Sequence, residues 1–136
     1  WEFDRCHVTP ATIRKVIDKH NPIEVWGDGK DVRDIIYIDD FIDGLVTVMD
    51  KCEEKYEVVN IGSNESYSIN QILKKCMEIE NYNAPIEHIS GKPSMIPIRK
   101  ISSDKMKEKY GWERKHTLEN GLKKTINWYK ETYGEK

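Results

Sequence analysis

Two periodicities alternate along the chain: apolar residues spaced for helices, and short runs rich in β-branched residues. Helices are predicted from Thr9-Pro10, from Asp39-Asp40, from Ser68, before Gly111 and from Thr117. Strands are predicted at IEVW (23–26), DVRDIIYI (31–38), EVVNI (57–61) and APIEHI (84–89). Helices that alternate with strands in this order predict an α/β fold.

Local signals refine several of these elements. GDGK (27–30) is a turn sequence between the first two strands, and it predicts a β-hairpin. EVVNI (57–61) is almost continuously apolar, which is typical of a strand buried on both faces. Ser68 and Gln71 have the spacing of a capping box, and Gly111 suits the left-handed end of a helix.

Composition narrows the class of protein. The 136 residues include 22 basic and 24 acidic side chains, with a formal net charge of −2, so no basic field for nucleic acid is expected. No apolar run approaches the roughly 18 residues of a membrane span. The cysteines, Cys6, Cys52 and Cys76, form no CxxC pair, and we expect them to be reduced core thiols of a cytoplasmic protein. The chain opens WEFDRCH, without an initiator Met or a secretory leader, so we expect a piece of a longer protein.

The run DDFID (39–43) matches a DDxxD magnesium motif. Carboxylates at positions i and i+4 share a helix face, and Mg²⁺ prefers oxygen ligands. Acidic residues in a first helical turn also satisfy free N–H groups and complement the helix dipole. The motif belongs in a large all-helical cavity, which a short chain with strands does not provide. We therefore favour a helix start and predict no metal site.

Arginine is scarce in this chain, with five residues against seventeen lysines. The guanidinium fork of Arg33 suits two-point binding of a phosphate, whereas pairing with Asp31 or Asp34 would make it a structural brace. The residues alone leave both interpretations open. Trp26 is either an apolar plug or a flat surface for a base or sugar. His7 is either structural or an acid–base group.

Four stretches, in order, resemble the C-terminal part of an extended short-chain dehydrogenase/reductase of the NAD(P)-dependent epimerase/dehydratase family. They are HVTPATIRK (7–15), IEVWGDGKDVRDIIYIDDFIDGL (23–45), VVNIGSNESYSI (58–69) and the closing segment 92–129. The resemblance implies an α/β substrate-binding portion that lacks most of the Rossmann domain. Residues 1–136 would form a single region, with 40–61 belonging to the missing cofactor domain's sheet.

The resemblance also implies an activity and a set of site residues. The nearest branch of the family epimerises and reduces GDP-4-keto-6-deoxymannose, so the expected partner is a nucleotide sugar carrying GDP. His7 would be the proton donor of the epimerisation. Other residues would bind the substrate: Lys15, Trp26 and Arg33 by direct contact, and Lys92 and Arg99 along the diphosphate.

Relatives also carry a glycine-rich dinucleotide loop and a Tyr-x-x-x-Lys pair, and neither motif occurs in this sequence. NADP or NAD would therefore be bound by the full-length enzyme and not by this fragment, which we expect to be inactive alone and to form a homo-oligomer. Two alternatives remain: another epimerase, dehydratase or reductase of the family, or a non-catalytic binding module.

Overall fold

The computed structural model describes residues 6–91 and 96–134 and has the predicted α/β class. Its helices are α1 (Val8–Ile17), α2 (Ile38–Lys51), α3 (Ile69–Ile79), α4 (Asp104–Tyr110) and α5 (Leu118–Tyr133). Its strands are β1 (Ile23–Trp26), β2 (Val32–Asp34), β3 (Ser66–Ser68), β4 (Ile86–Ile89) and β5 (Ile98–Arg99). No helix in these two ranges is long and apolar enough to cross a membrane.

The hairpin predicted around GDGK is wrong, because β1 and β2 belong to different sheets. Strand β1 pairs in parallel with β4, whereas β2 lies between β3 (antiparallel) and β5 (parallel). The turn between them has Gly27 and Gly29 at φ +70° and is held by Asn70 of α3. The Asn70 amide donates to the Asp28 carbonyl at 3.0 Å, and its backbone N–H donates to the Gly29 carbonyl at 3.0 Å. The turn is thus fastened to α3 and leads the chain away from β1.

Helices α1, α3 and α5 close over the inner face of β1 and form the larger core, which we call the closed core. Its buried members include Ile13 and Val16 of α1, Ile72 and Leu73 of α3, and Ile126 of α5. The predicted starts of α3 and α5 are confirmed by their caps. Ser68 and Gln71 form both hydrogen bonds of the capping box, and Thr117 accepts from the Asn120 backbone N–H.

The start of α1 differs from the prediction. The helix begins at Val8 with His7 as the N-cap residue, two residues earlier than the Thr9 cap predicted from the sequence. The His7 carbonyl accepts the first helical hydrogen bond from the Ala11 N–H at 3.1 Å. Pro10 is tolerated within the first turn because the N–H groups there have no helical partner.

A second region is built from α2, the segment 52–61 and α4, and we call it the open region. Its small core contains Met106, Tyr110 and Trp112, and Gly111 ends α4 in the left-handed conformation as predicted. The apolar residues of α2 that point away from this core are exposed. We call them the α2 stripe: Ile38, Phe41, Ile42, Leu45, Val46 and Met49.

The strand predicted at 57–61 is wrong, because this segment pairs with no strand in the described parts of the chain. Its residues alternate between half-buried and exposed positions. Val59 and Ile61 pack on the open region's core, whereas Val58 is 60% exposed. Glu57 binds Lys105 and Lys109 of α4, and hydrogen bonds from these two lysines lower the pKa of Glu57 to about 2. The segment is therefore held on one side and open on the other.

Candidate functional site

Arg33 and Arg99, the arginine pair, lie side by side on neighbouring strands. In the parallel pairing of β2 with β5, Arg33 is directly opposite Arg99, and in the antiparallel pairing with β3 it is opposite Tyr67. Side chains in register on neighbouring strands point to the same face of a sheet. Two guanidinium groups that are 66 positions apart in sequence therefore start from the same sheet face.

Arg33 is held by three acceptors of the protein itself. Its Nη1 donates to the Val32 carbonyl at 2.8 Å and to the Ile96 carbonyl at 2.7 Å. The other terminal nitrogen, Nη2, lies 3.1 Å from Oδ2 of Asp31. The brace to Asp31, one of the two interpretations left open by the sequence, is therefore present, while the role of Arg33 in substrate binding stays a prediction.

Arg99 has a different environment from Arg33. Arg99 is exposed, and its guanidinium makes no ion pair or hydrogen bond with a residue in the ranges 6–91 and 96–134. Lys92, the other residue predicted to lie along the diphosphate, falls outside the described residues. The sheet face thus presents one braced and one unpaired guanidinium, which together could bind a multiply charged anion.

The remaining predicted residues lie on β1 and α1. Trp26 ends β1 on the face opposite the closed core and is 60% exposed, so it is not an apolar plug. Lys15 of α1 donates to the Glu24 carbonyl of the same strand at 2.7 Å. His7 is exposed at the N-terminus of α1, and its side chain makes no capping hydrogen bond. The contribution of these three residues to a substrate site stays a prediction.

The sequence did not predict a polar cluster around Asp40, which is only 2% exposed. Its Oδ1 lies 2.9 Å from Nδ1 of His116, and its Oδ2 accepts from the His116 backbone N–H at 2.9 Å. Burial disfavours the ionised carboxylate, but the hydrogen bonds from His116 and from the Lys115 N–H outweigh it and hold the pKa of Asp40 below its ordinary value. Nζ of Lys124 completes the cluster, 2.9 Å from Nε2 of His116.

This cluster borders a cavity of about 560 Å³ between α1, the 35–39 segment and α5. Its walls are largely apolar, with Ile13, Leu122 and Trp128 among the lining residues. None of the described residues predicted for the substrate site lines it. Asp40 and His116 are 76 positions apart, and no periodicity or motif connects them, so only the fold could reveal their contact.

The chain is similar to known proteins over most of its length. Residues 2–62 match the NAD dependent epimerase/dehydratase family. The chain is 33% identical to a GDP-mannose 3,5-epimerase of Arabidopsis thaliana, over 96% of this chain and 34% of that protein. A probable GDP-L-fucose synthase of Oryza sativa subsp. japonica is 32% identical, over 94% of this chain and 40% of that protein.

A solved structure agrees with these relatives. The crystal structure of a UDP-glucose 4-epimerase from Thermotoga maritima with UDP-glucose superposes with a TM-score of 0.85 at 29% identity, over 96% of this chain and 41% of that one. The resemblance to the epimerase/dehydratase family is confirmed. The fold is that of part of an extended short-chain dehydrogenase/reductase, and the chain spans 34% to 40% of the length of the two curated relatives.

Proposed function

We propose that this chain is the nucleotide-sugar-binding part of an NAD(P)-dependent epimerase/dehydratase that acts as a GDP-4-keto-6-deoxymannose 3,5-epimerase/4-reductase. The arginine pair on one sheet face is the observation that carries the proposal. Relatives named GDP-mannose 3,5-epimerase and GDP-L-fucose synthase support a GDP-sugar as the substrate class. If the longer protein shows no turnover, the alternative of a non-catalytic binding module is supported instead.

The proposed chemistry uses His7 as an acid. A proton on carbon next to a keto group is removed by a base, and an acid on the other face of the sugar returns a proton to the same carbon. A histidine suits the returning step because its ordinary pKa lies near neutrality. His7 is exposed at the N-terminus of α1, where a substrate can reach its imidazole.

The diphosphate and the base of the substrate would bind at a distance from the reacting carbons. Arg33 and Arg99 would hold the diphosphate, with Lys92 beside them, and Trp26 would offer its exposed ring to the base or the sugar. Lys15 would contact the substrate from α1. Binding energy at this remote end would hold the sugar in register for proton transfer at His7.

NADP or NAD would be bound by another part of the longer protein. The Gly27–Gly29 turn has the Asn70 amide packed against it, so that a Cβ at Gly29 would lie 2.1 Å from Oδ1 of Asn70. A glycine turn filled in this way leaves no room for a pyrophosphate. The Gly27–Gly29 turn is therefore not assigned to the cofactor, and no step of hydride transfer is assigned to this chain.

The same proposal gives the α2 stripe a role. Residues 40–61 would belong with the cofactor-binding part of the longer protein, which would cover the stripe and the open side of the 57–61 segment. The exposed apolar face and the partial coverage of the relatives support this assignment. An uncovered stripe of this kind is a surface for association.

The decisive experiment replaces His7 in the full-length enzyme. His7→Gln should abolish inversion at C3 and C5 of the keto-sugar, followed by NMR, while the far-UV spectrum is unchanged. His88→Gln is the matched control, since His88 is also exposed but lies in β4. Full epimerase activity in the His7 variant would reject its assignment.

A second candidate function is GDP-mannose 3,5-epimerisation without reduction, which relatives of that name favour. The two functions differ in their use of the nicotinamide cofactor. Net consumption of NADPH with GDP-4-keto-6-deoxymannose supports the epimerase/reductase. Conversion of GDP-mannose without net consumption of NADPH supports the second candidate.

The 136-residue chain alone should bind GDP weakly. Two charged contacts and one stacking contact are offset by the costs of association and of ordering side chains, so we expect a dissociation constant near or above ~1 mM, or about −4 kcal/mol. Calorimetry or an NMR titration measures it. Micromolar affinity would contradict this expectation.

A further inference from the structure

The acceptors of the Arg33 hydrogen bonds differ in charge. Both N–H groups of Nη1 are directed at main-chain carbonyls, those of Val32 and Ile96, at 2.8 and 2.7 Å. These acceptors are neutral and belong to β2 and to the residue that precedes β5 by two positions. They fix the plane of the guanidinium. Among the described residues, Asp31 is the negatively charged partner of Arg33.

Asp31 supplies an anionic oxygen to Nη2 of Arg33 at 3.1 Å, as a phosphate oxygen would. Its main chain is fixed, because the Asp31 carbonyl accepts from the Ile69 N–H at 3.1 Å at the start of α3. Its carboxylate is carried on a rotatable side chain and is partly open to solvent. A ligand can therefore replace the carboxylate without moving the backbone.

The charges of Arg33 and Arg99 are not neutralised to the same extent. Two guanidinium groups share the sheet face, and Asp31 neutralises one of them, while Arg99 has no ion pair among the described residues. A singly charged anion that displaced Asp31 would exchange one carboxylate-like contact for another. A diphosphate carries enough charge to satisfy both arginines, so it gains from the exchange.

We propose that Asp31 is an internal counter-ion that occupies the Arg33 fork in the ligand-free protein and must yield it to a diphosphate. This inference rests on the proposed function of the arginine pair and adds a residue that sets its affinity and its selectivity. Asp31 lowers the affinity for every anion at this site. The cost of displacing it is the same for each anion, so we expect an anion with a second charge for Arg99 to offset it best.

Asp31→Asn tests the proposal in the 136-residue chain, with inorganic pyrophosphate and acetate as probes in NMR titrations. The variant should bind pyrophosphate about two- to fivefold more tightly, the size expected for one partly exposed charge pair. Asp28→Asn is the matched control: it makes the same change of charge nearby, but Asp28 pairs with Lys30. Its affinity should change less than about twofold. Asp31→Ala guards against a new contact from the amide.

The gain should vanish in the Arg33→Lys background, since lysine has no second nitrogen to be released. Unchanged or weaker pyrophosphate binding by Asp31→Asn, while the original chain binds, would overturn the counter-ion role and leave the proposed function intact. Absence of pyrophosphate binding by the original chain and by every variant would overturn the arginine-pair site itself. The two failures are thus distinguishable.

Discussion

Helices α3 and α2 are both amphipathic, yet the closed core covers the apolar face of α3, whereas most of the apolar face of α2 is uncovered. Leu73 of α3 is 0% exposed, while Met49 of α2 is 73% exposed. The closed core receives side chains from α1, β1 and α5 as well, so its apolar surface is enclosed from several directions. Helical periodicity thus reports which face is apolar, and the presence of a partner decides whether that face is buried.

The largest contrast is expected from the same substitution in the two regions. Leu73→Ala should lower the free energy of unfolding by about 2–5 kcal/mol, because it leaves a cavity in the closed core. Leu45→Ala, on the α2 stripe at 42% exposure, should cost less than about 1 kcal/mol. Urea denaturation measures both. Equal losses would show that the α2 stripe is as well packed as the closed core.

Asp40 connects the two regions, since it lies on α2 and binds the loop before α5. Asp40→Asn should cost about 1–3 kcal/mol at pH 7, because a buried charge-assisted hydrogen bond to His116 is lost. The pKa of Asp40 is lower in the folded protein, so its contribution is complete above the unfolded value of about 3.9 and is lost as pH falls through the folded pKa. The difference between the two proteins should therefore shrink in acid.

Urea titrations at pH 7 and near pH 3 check the effect of Asp40. Asp39→Asn is the control, because the Asp39 carboxylate is largely exposed and lies 4.0 Å from Lys124. It should change stability by less than about 1 kcal/mol. A loss in Asp40→Asn that stays constant down to pH 3 would contradict the role given to its charge.

The smallest effect on stability is expected at the most exposed position of the α2 stripe. Met49→Ser should change the free energy of unfolding by less than about 0.5 kcal/mol. It should nevertheless weaken self-association of the chain, which we expect because the stripe and the 57–61 edge are uncovered. Sedimentation equilibrium measures the association. A well-behaved monomer over a wide concentration range would contradict this expectation for the original chain.

Elements whose boundaries are set by neighbouring residues could be predicted. The capping box of Ser68 and Gln71, the Gly111 helix end and the Thr117 cap were all confirmed, since each depends on side chains within four positions. Elements that depend on distant partners could not. The hairpin was wrong because Asn70 redirects the turn, and the 57–61 strand was wrong because no described strand lies beside it.

The candidate site divides in the same way. The sequence indicated that Arg33 is either a brace or an anion ligand. Its ion pair with Asp31 could be predicted because Asp31 is only two positions away in sequence. The position of Arg99 beside Arg33 follows from the register of β2 and β5. The residues next to either arginine in sequence do not predict that register. The cluster of Asp40 with His116 and Lys124 comes from three separate segments, so local patterns carried no signal for it.

The proposed function requires the arginine pair to form a diphosphate site. The most direct test is an NMR titration of the isotope-labelled 136-residue chain with GDP, following the side-chain guanidinium signals of Arg33 and Arg99. Both signals should shift together with one dissociation constant in the millimolar range, and the signal of Arg114, which is bound to Glu65, should not change. Unchanged signals from Arg33 and Arg99, with shifts confined to residues such as His116 around the cavity, would contradict it.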